Sequence, residues 1–144
     1  MATIQQTNTD VVKQYLNAFN DRNWEELPKF LAEDVVEHGI HGEHRGAEAI
    51  IDFLQRHFRV FPDYAGETEA IYAADDVVMV RYTATGTHTG EYHDVEPTGL
   101  KAAWSGIAIY RVEDETIAEI WLEEDRLGLL EQLEAIDPPA HLRI

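Results

Sequence analysis

Cysteine is absent from the 144 residues, which excludes a disulfide framework, a thiolate metal site and a cysteine nucleophile. Serine occurs once, at Ser105 inside a strand-like run with no glycine elbow around it, so serine hydrolysis is disfavoured. Gly86 and Gly90 precede no helix start and therefore form no phosphate cradle. No apolar run approaches the ~20 residues of a bilayer span. The opening residues Met1-Ala2-Thr3-Ile4-Gln5-Gln6 lack the basic and apolar regions of a signal peptide, so a cytoplasmic location is expected. Basic charge is scarce: 11 lysines and arginines stand against 28 acids, a formal charge of −17. Only Lys13, Lys29 and Lys101 are lysines. Such a field repels phosphate backbones and anionic lipid, which argues against nucleic-acid or membrane partners. The acids are dispersed (Asp21, Glu25, Glu26, Glu33, Asp34, Glu37) rather than blocked. A dispersed acidic, lysine-poor surface points to a halophilic or salt-tolerant source, where screening shortens self-repulsion to ~3 Å at about 1 M salt.

What is present organises as one domain spanning 1–144, long enough to bury roughly two thirds of its unfolded surface. Asn8-Thr9-Asp10 offers N-caps for a helix with Val11, Val12, Tyr15, Leu16 and Phe19 at helical spacing. Trp24, Leu27, Phe30 and Leu31 predict a second, short helix. Residues 34–40 read as a short strand running into a loop rich in glycine and histidine, and residues 47–58 as an amphipathic helix stopped by Phe61-Pro62-Asp63. Alternation then dominates. Residues 64–73, 76–88, 100–112 and 116–122 read as strands. A final helix is expected from about 126 to 136, ended by Asp137-Pro138-Pro139. Helices first and long strands after predict an α+β fold, with helices on one face of a curved, mostly antiparallel sheet. The second sheet face is also partly apolar, so a homodimer or homotetramer is expected.

The hairpin of residues 107–125 carries the most chemical information. Trp121 and Asp125 are four apart, so an unbroken strand aims both at one side. A carboxylate beside an indole wall is a proton-transfer site if water is excluded, because desolvation raises its pKa. The competing reading makes Asp125 the N-cap of the last helix. Glu119 and Glu123 share its parity; two carboxylates facing one cavity would push their pKa values apart.

The motifs that carry a family resemblance lie in order between residues 8 and 133. They are Phe19-Asn20 with Trp24-Glu25-Glu26-Leu27; Asp34-Val35-Val36-Glu37-His38; Gly46-Ala47-Glu48-Ala49-Ile50; Phe61-Pro62-Asp63; Gly86-Thr87-His88-Thr89-Gly90; Pro97-Thr98-Gly99; Tyr110-Arg111-Val112-Glu113-Asp114; and Glu119-Ile120-Trp121 with Asp125, Leu127-Gly128-Leu129-Leu130 and Gln132-Leu133. Together they resemble the SnoaL-like polyketide cyclases of the NTF2-like superfamily. The resemblance implies a cone-shaped fold enclosing a pocket for a small hydrophobic or carbonyl-containing molecule. It also implies proton abstraction beside a carbonyl by an aspartate of the last strand, here matched by Asp125, with neither metal nor organic cofactor. Glu115 and Glu134 depart from the pattern where glycine is common.

Around Asp125 the expected catalytic partners are His88, as enolate donor or proton shuttle, and His38, whose inward direction rests on the resemblance. His88 reads equally as a strand-end histidine bonded to a loop. Trp104, Trp121, Tyr82 and Phe61 are expected to form the apolar substrate wall, or simply core. His38, His41 and His44 with Glu37 and Glu43 lack a ligand spacing that imposes metal geometry, so no metal is expected. Three functions compete: cofactor-free cyclase, isomerase or lyase chemistry; a non-catalytic ligand-binding or dimeric scaffold module; and a hydrolase or dehydratase using His38 and His88.

Overall fold

Thr3 starts the first helix, earlier than the Asn8-Thr9-Asp10 caps predicted. In the computed structural model, which describes residues 1–137, α1 spans Ile4–Asn20 behind a capping box. The Thr3 hydroxyl accepts from the Gln6 N–H and the Gln6 side chain accepts from the Thr3 N–H. That leaves Asn8 buried inside the helix. Trp24 to Leu31 form only a 3-10 turn at Leu27–Phe30, because Pro28 opens it and Leu31 is already extended.

The chain continues through β1 (Leu31–Gly39), β2 (Gly42–Arg45), α2 (Ala47–Val60), β3 (Ala65–Ala74), β4 (Val77–Thr87), β5 (Lys101–Glu113), β6 (Thr116–Glu124) and α3 (Arg126–Gln132). β2 occupies the stretch expected to be loop. Gly42, at φ 95°, completes the tight Ile40-His41 turn that folds β2 back on β1. α3 ends at Gln132, before the predicted position 136, and the expected Pro138-Pro139 stop lies outside the described residues.

The six strands form one sheet in the order β2-β1-β6-β5-β4-β3. All pairs are antiparallel except β1 with β6. In that parallel pair Glu37 lies beside Ile120 and His38 beside Trp121. Register therefore commits Glu37 to the face of Ile120 and His38 to the face of Trp121.

The inner face carries Val78, Val80 and Ala84 of β4, Ala102, Trp104, Ala108 and Tyr110 of β5, and Ile117 and Ile120 of β6. α1 and α2 cover it with Val11, Val12, Tyr15, Ile50 and Leu54. A second apolar cluster, Phe58, Phe61, Tyr64, Trp104, Leu129 and Leu133, fills the end where α2 and α3 approach. Helices on one face of a twisted, mostly antiparallel sheet are the α+β cone expected from the sequence. The space between the two clusters is not filled.

Candidate functional site

That space is a cavity lined by Tyr15, Phe19, Leu54, Tyr64, Val80 and Tyr110, into which Glu37 and Glu124 also project. Glu124 is the last residue of β6 and its side chain is only 8% exposed. Three donors converge on it. Tyr82 Oη donates to Oε1 at 2.6 Å, Trp104 Nε1 donates to Oε2 at 3.3 Å, and the Arg126 guanidinium meets Oε2 at 3.1 Å. A buried charge held this way is compensated in place.

Backbone pairing explains how Tyr82 reaches it. Gly106 of β5 stands opposite Tyr82 on one side and Glu124 on the other. With no side chain there, the phenol crosses β5; a Cβ on Gly106 would lie 2.3 Å from the Tyr82 ring and hydroxyl.

Glu37 is different. It is 4% exposed, and among the described residues nothing hydrogen-bonds its carboxyl. Burial, reinforced by the negative Glu124, raises its pKa to about 7. Tyr15 and Tyr110 stand edge to face, 5.8 Å apart. Both phenols are pushed up by burial and then by the nearby Glu37, so they stay protonated as donors. His57 completes the polar lining. Burial, then Arg126, hold its pKa down at about 3, so it is a neutral imidazole.

The inner cavity, ≈80 Å³, shares Glu37, Phe53, Leu122, Glu124 and Arg126 with a neighbouring compartment of ≈150 Å³. This second space shares His41, His44, Phe53 and Arg126 with an outer one of ≈320 Å³. The carboxyl pair thus lies where the inner cavity opens into a passage that Phe53 and Arg126 line along its whole length.

Of the residues singled out from the sequence, Tyr82 and Trp104 meet at Glu124, and Phe61 packs behind Trp104 at 5.1 Å. The others are not brought together. Asp125 is exposed and caps α3, accepting from the Gly128 N–H at 2.9 Å, so it does not face the cavity. Asp125 shares the outward direction of Trp121, and the row of β6 that turns toward the cavity is Ile120-Leu122-Glu124.

Trp121 lies on the outer sheet face, 36% exposed, and stacks on His38 at 5.7 Å. His38 points outward with it, bonded to Glu119 at 2.6 Å and close to Glu43. Glu119 and Glu123 follow the same outward parity. His88 is fully buried, but behind Phe61. Its Nδ1 accepts from the Thr98 N–H and lies 3.0 Å from Thr98 Oγ1, which fits the loop-bonded reading. Among the described residues no three His, Asp or Glu side chains gather in metal-binding geometry.

Glu37, Glu124, His57, Arg126, Tyr15 and Tyr110 were missed as site residues. A signal for two of them existed. On β6, Ile120-Leu122-Glu124 alternate with Glu119-Trp121-Glu123, and an aliphatic stripe ending in one acid is the better inner face. On β1, Val35 and Glu37 share a parity in the same way.

Comparison with known proteins agrees with the architecture. AclR from Streptomyces galilaeus is 25% identical, with a TM-score of 0.82 over 96% of this chain and 92% of its own. IdmH from Streptomyces antibioticus is 28% identical, with a TM-score of 0.78 over 88% of this chain and 98% of its own. A SnoaL-like polyketide cyclase from Agrobacterium tumefaciens, 23% identical, shares the fold with a TM-score of 0.77 over 92% and 99%. No match is found among the curated proteins. The profile of the SnoaL-like polyketide cyclase family matches residues 9–133, nearly the whole chain and all the strands that build the cavity, so the chain belongs to that family.

Proposed function

We propose that the protein performs cofactor-free acid/base chemistry on an enolisable carbonyl compound, as a cyclase, isomerase or lyase, with Glu37 as the proton-transferring group. The observation that carries this reading is a buried carboxyl without a hydrogen-bond partner, shifted to about 7, beside a second carboxylate that is fully engaged. A base poised near the working pH combines a useful ionised fraction with a useful driving force. Glu37 takes a proton from the carbon next to the carbonyl. The electron pair moves onto the carbonyl oxygen, where Tyr15 or Tyr110 can donate to the developing enolate. Glu124 serves as the fixed charge that keeps the Glu37 proton available, through the repulsion that raises its pKa. The apolar lining suits a small hydrophobic skeleton.

The test uses 2-tetralone, a flat enolisable ketone, in deuterated buffer. The full chain should accelerate exchange at the α-carbon, and Glu37→Gln should reduce that acceleration by at least ~100-fold. Equal exchange by both proteins sinks the catalytic reading. If 2-tetralone still binds both, the non-catalytic ligand-binding module takes its place. We further propose that the outer sheet face, where Tyr72, Ile107 and Trp121 are exposed, packs against a second copy; a monomer in sedimentation equilibrium removes this.

A further inference from the structure

The outer compartment of the passage has a charge character opposite to that of the molecule. It is lined by Arg56, Arg126, His41, His44, His57 and His93, with Glu91 as its one acid. In a chain of 28 acids and 11 lysines and arginines, this concentration of cationic and imidazole groups at a cavity mouth is not a composition effect. Four elements supply it: the β1–β2 turn and β2, α2, the loop between β4 and β5, and the start of α3.

Arg126 is only 8% exposed, and its protein partners leave part of its guanidinium unused. Its terminal nitrogens meet Glu124 and the Tyr92 hydroxyl, while Nε has no partner among the described residues. His44 Nδ1 is a second buried nitrogen without a partner, on a ring stacked on Phe53 at 4.5 Å. His41 and His93 bring their Nε2 atoms within 3.2 Å, so at least one of the two is unprotonated at that atom. An unfilled buried donor on a charge of full strength calls for an acceptor.

We propose that this mouth receives a carboxylate borne by the substrate, so that the molecule enters anion outward with its enolisable carbon at Glu37. This rests on the acid/base reading for the inner end of the passage only. A monoanion fits better than a phosphate dianion, because Glu91 lines the mouth and Glu124 the adjoining compartment, and both would repel the second charge. The groups facing the bound carboxylate are Arg56 and His57 from α2, His41 and His44 from the β1–β2 hairpin, Glu91 and His93 from the loop, and Arg126 from α3. Asp52 sits 3.6 Å from Arg56 and weakens its contribution. His41 and His44 are held below their ordinary pKa, mainly by burial and then by Arg126 and Arg56 respectively. An arriving anion reverses that balance, so binding draws in protons and tightens as pH falls toward about 6.

The experiment titrates the full chain with naphthalene-2-carboxylate and with the neutral naphthalene-2-carboxamide, by calorimetry near pH 6. The carboxylate should bind at least ~10-fold more tightly, and the preference should shrink to about threefold or less in an Arg56→Gln/His93→Gln double variant. Should that variant fail to fold, the wild-type histidine ring resonances decide: the carboxylate must shift them and the amide must not. Equal affinity for the two probes, no binding of either, or a preference that survives the double variant overturns the proposal. The catalytic reading fails separately, through unchanged 2-tetralone exchange in Glu37→Gln while the carboxylate preference persists.

Discussion

Glu37→Gln should make the protein more stable at alkaline pH while it removes the proposed chemistry. The carboxyl is raised from 4.5 to about 7 on folding. Between those values the folded chain holds a proton that the unfolded chain has released. Stability therefore falls as pH rises through that window and stays reduced above it. A rise from 4.5 to about 7 corresponds to about 3 kcal/mol. Glutamine has the shape of the protonated acid and carries no such cost. The stability difference between variant and wild type should thus grow by about 3 kcal/mol from acid to alkaline pH, most of it between 4.5 and 7. Urea unfolding followed by tryptophan fluorescence reads this directly, since Trp104 is buried one hydrogen bond from Glu124. His57 opposes the trend in both proteins and cancels in the difference. A pH-independent difference would show that Glu37 is not held in a desolvated site, and the proton-transfer assignment would fall with it.

Gly106→Ala should detach Tyr82 from Glu124, costing about 1.5–3 kcal/mol of stability at a hydrogen bond to a charged group, measured by thermal unfolding. His57 is depressed to about 3, so its contribution is present above its ordinary value of 6.5 and is lost as pH falls from there; His57→Gln should flatten the acid side of the pH–stability curve. Asp125→Ala should cost about 1 kcal/mol through the lost cap while leaving 2-tetralone exchange unchanged; a ~100-fold loss of exchange would restore it as the base. The −17 charge predicts a melting temperature that climbs with salt, and full stability in dilute buffer would remove the halophilic origin.

The sequence conveyed the fold well because its cues were local and periodic. Alternation sorts Val78, Val80 and Tyr82 of β4 onto one face and Trp104 and Tyr110 of β5 onto one face, and the structure turns both of these faces inward. The site was harder to read, for a specific reason. Asp125 belongs with Trp121 to the row of β6 that turns outward, and exchanging the two rows moves the inward acid by a single residue, to Glu124. His38 and Glu37 were exchanged the same way, because the parallel pairing of β1 with β6 that fixes them joins segments about eighty residues apart. The caps were similarly ambiguous. Asn8 looks like a cap locally, and only packing shows it inside α1.

Glu124, Asp125 and Arg126 are consecutive, yet one faces the cavity, the next terminates solvent-side and starts α3, and the third turns back to neutralise the first. Reactivity and chain direction are thereby written into the same three letters. An insertion or deletion at this junction would abolish helix initiation and charge pairing in one step.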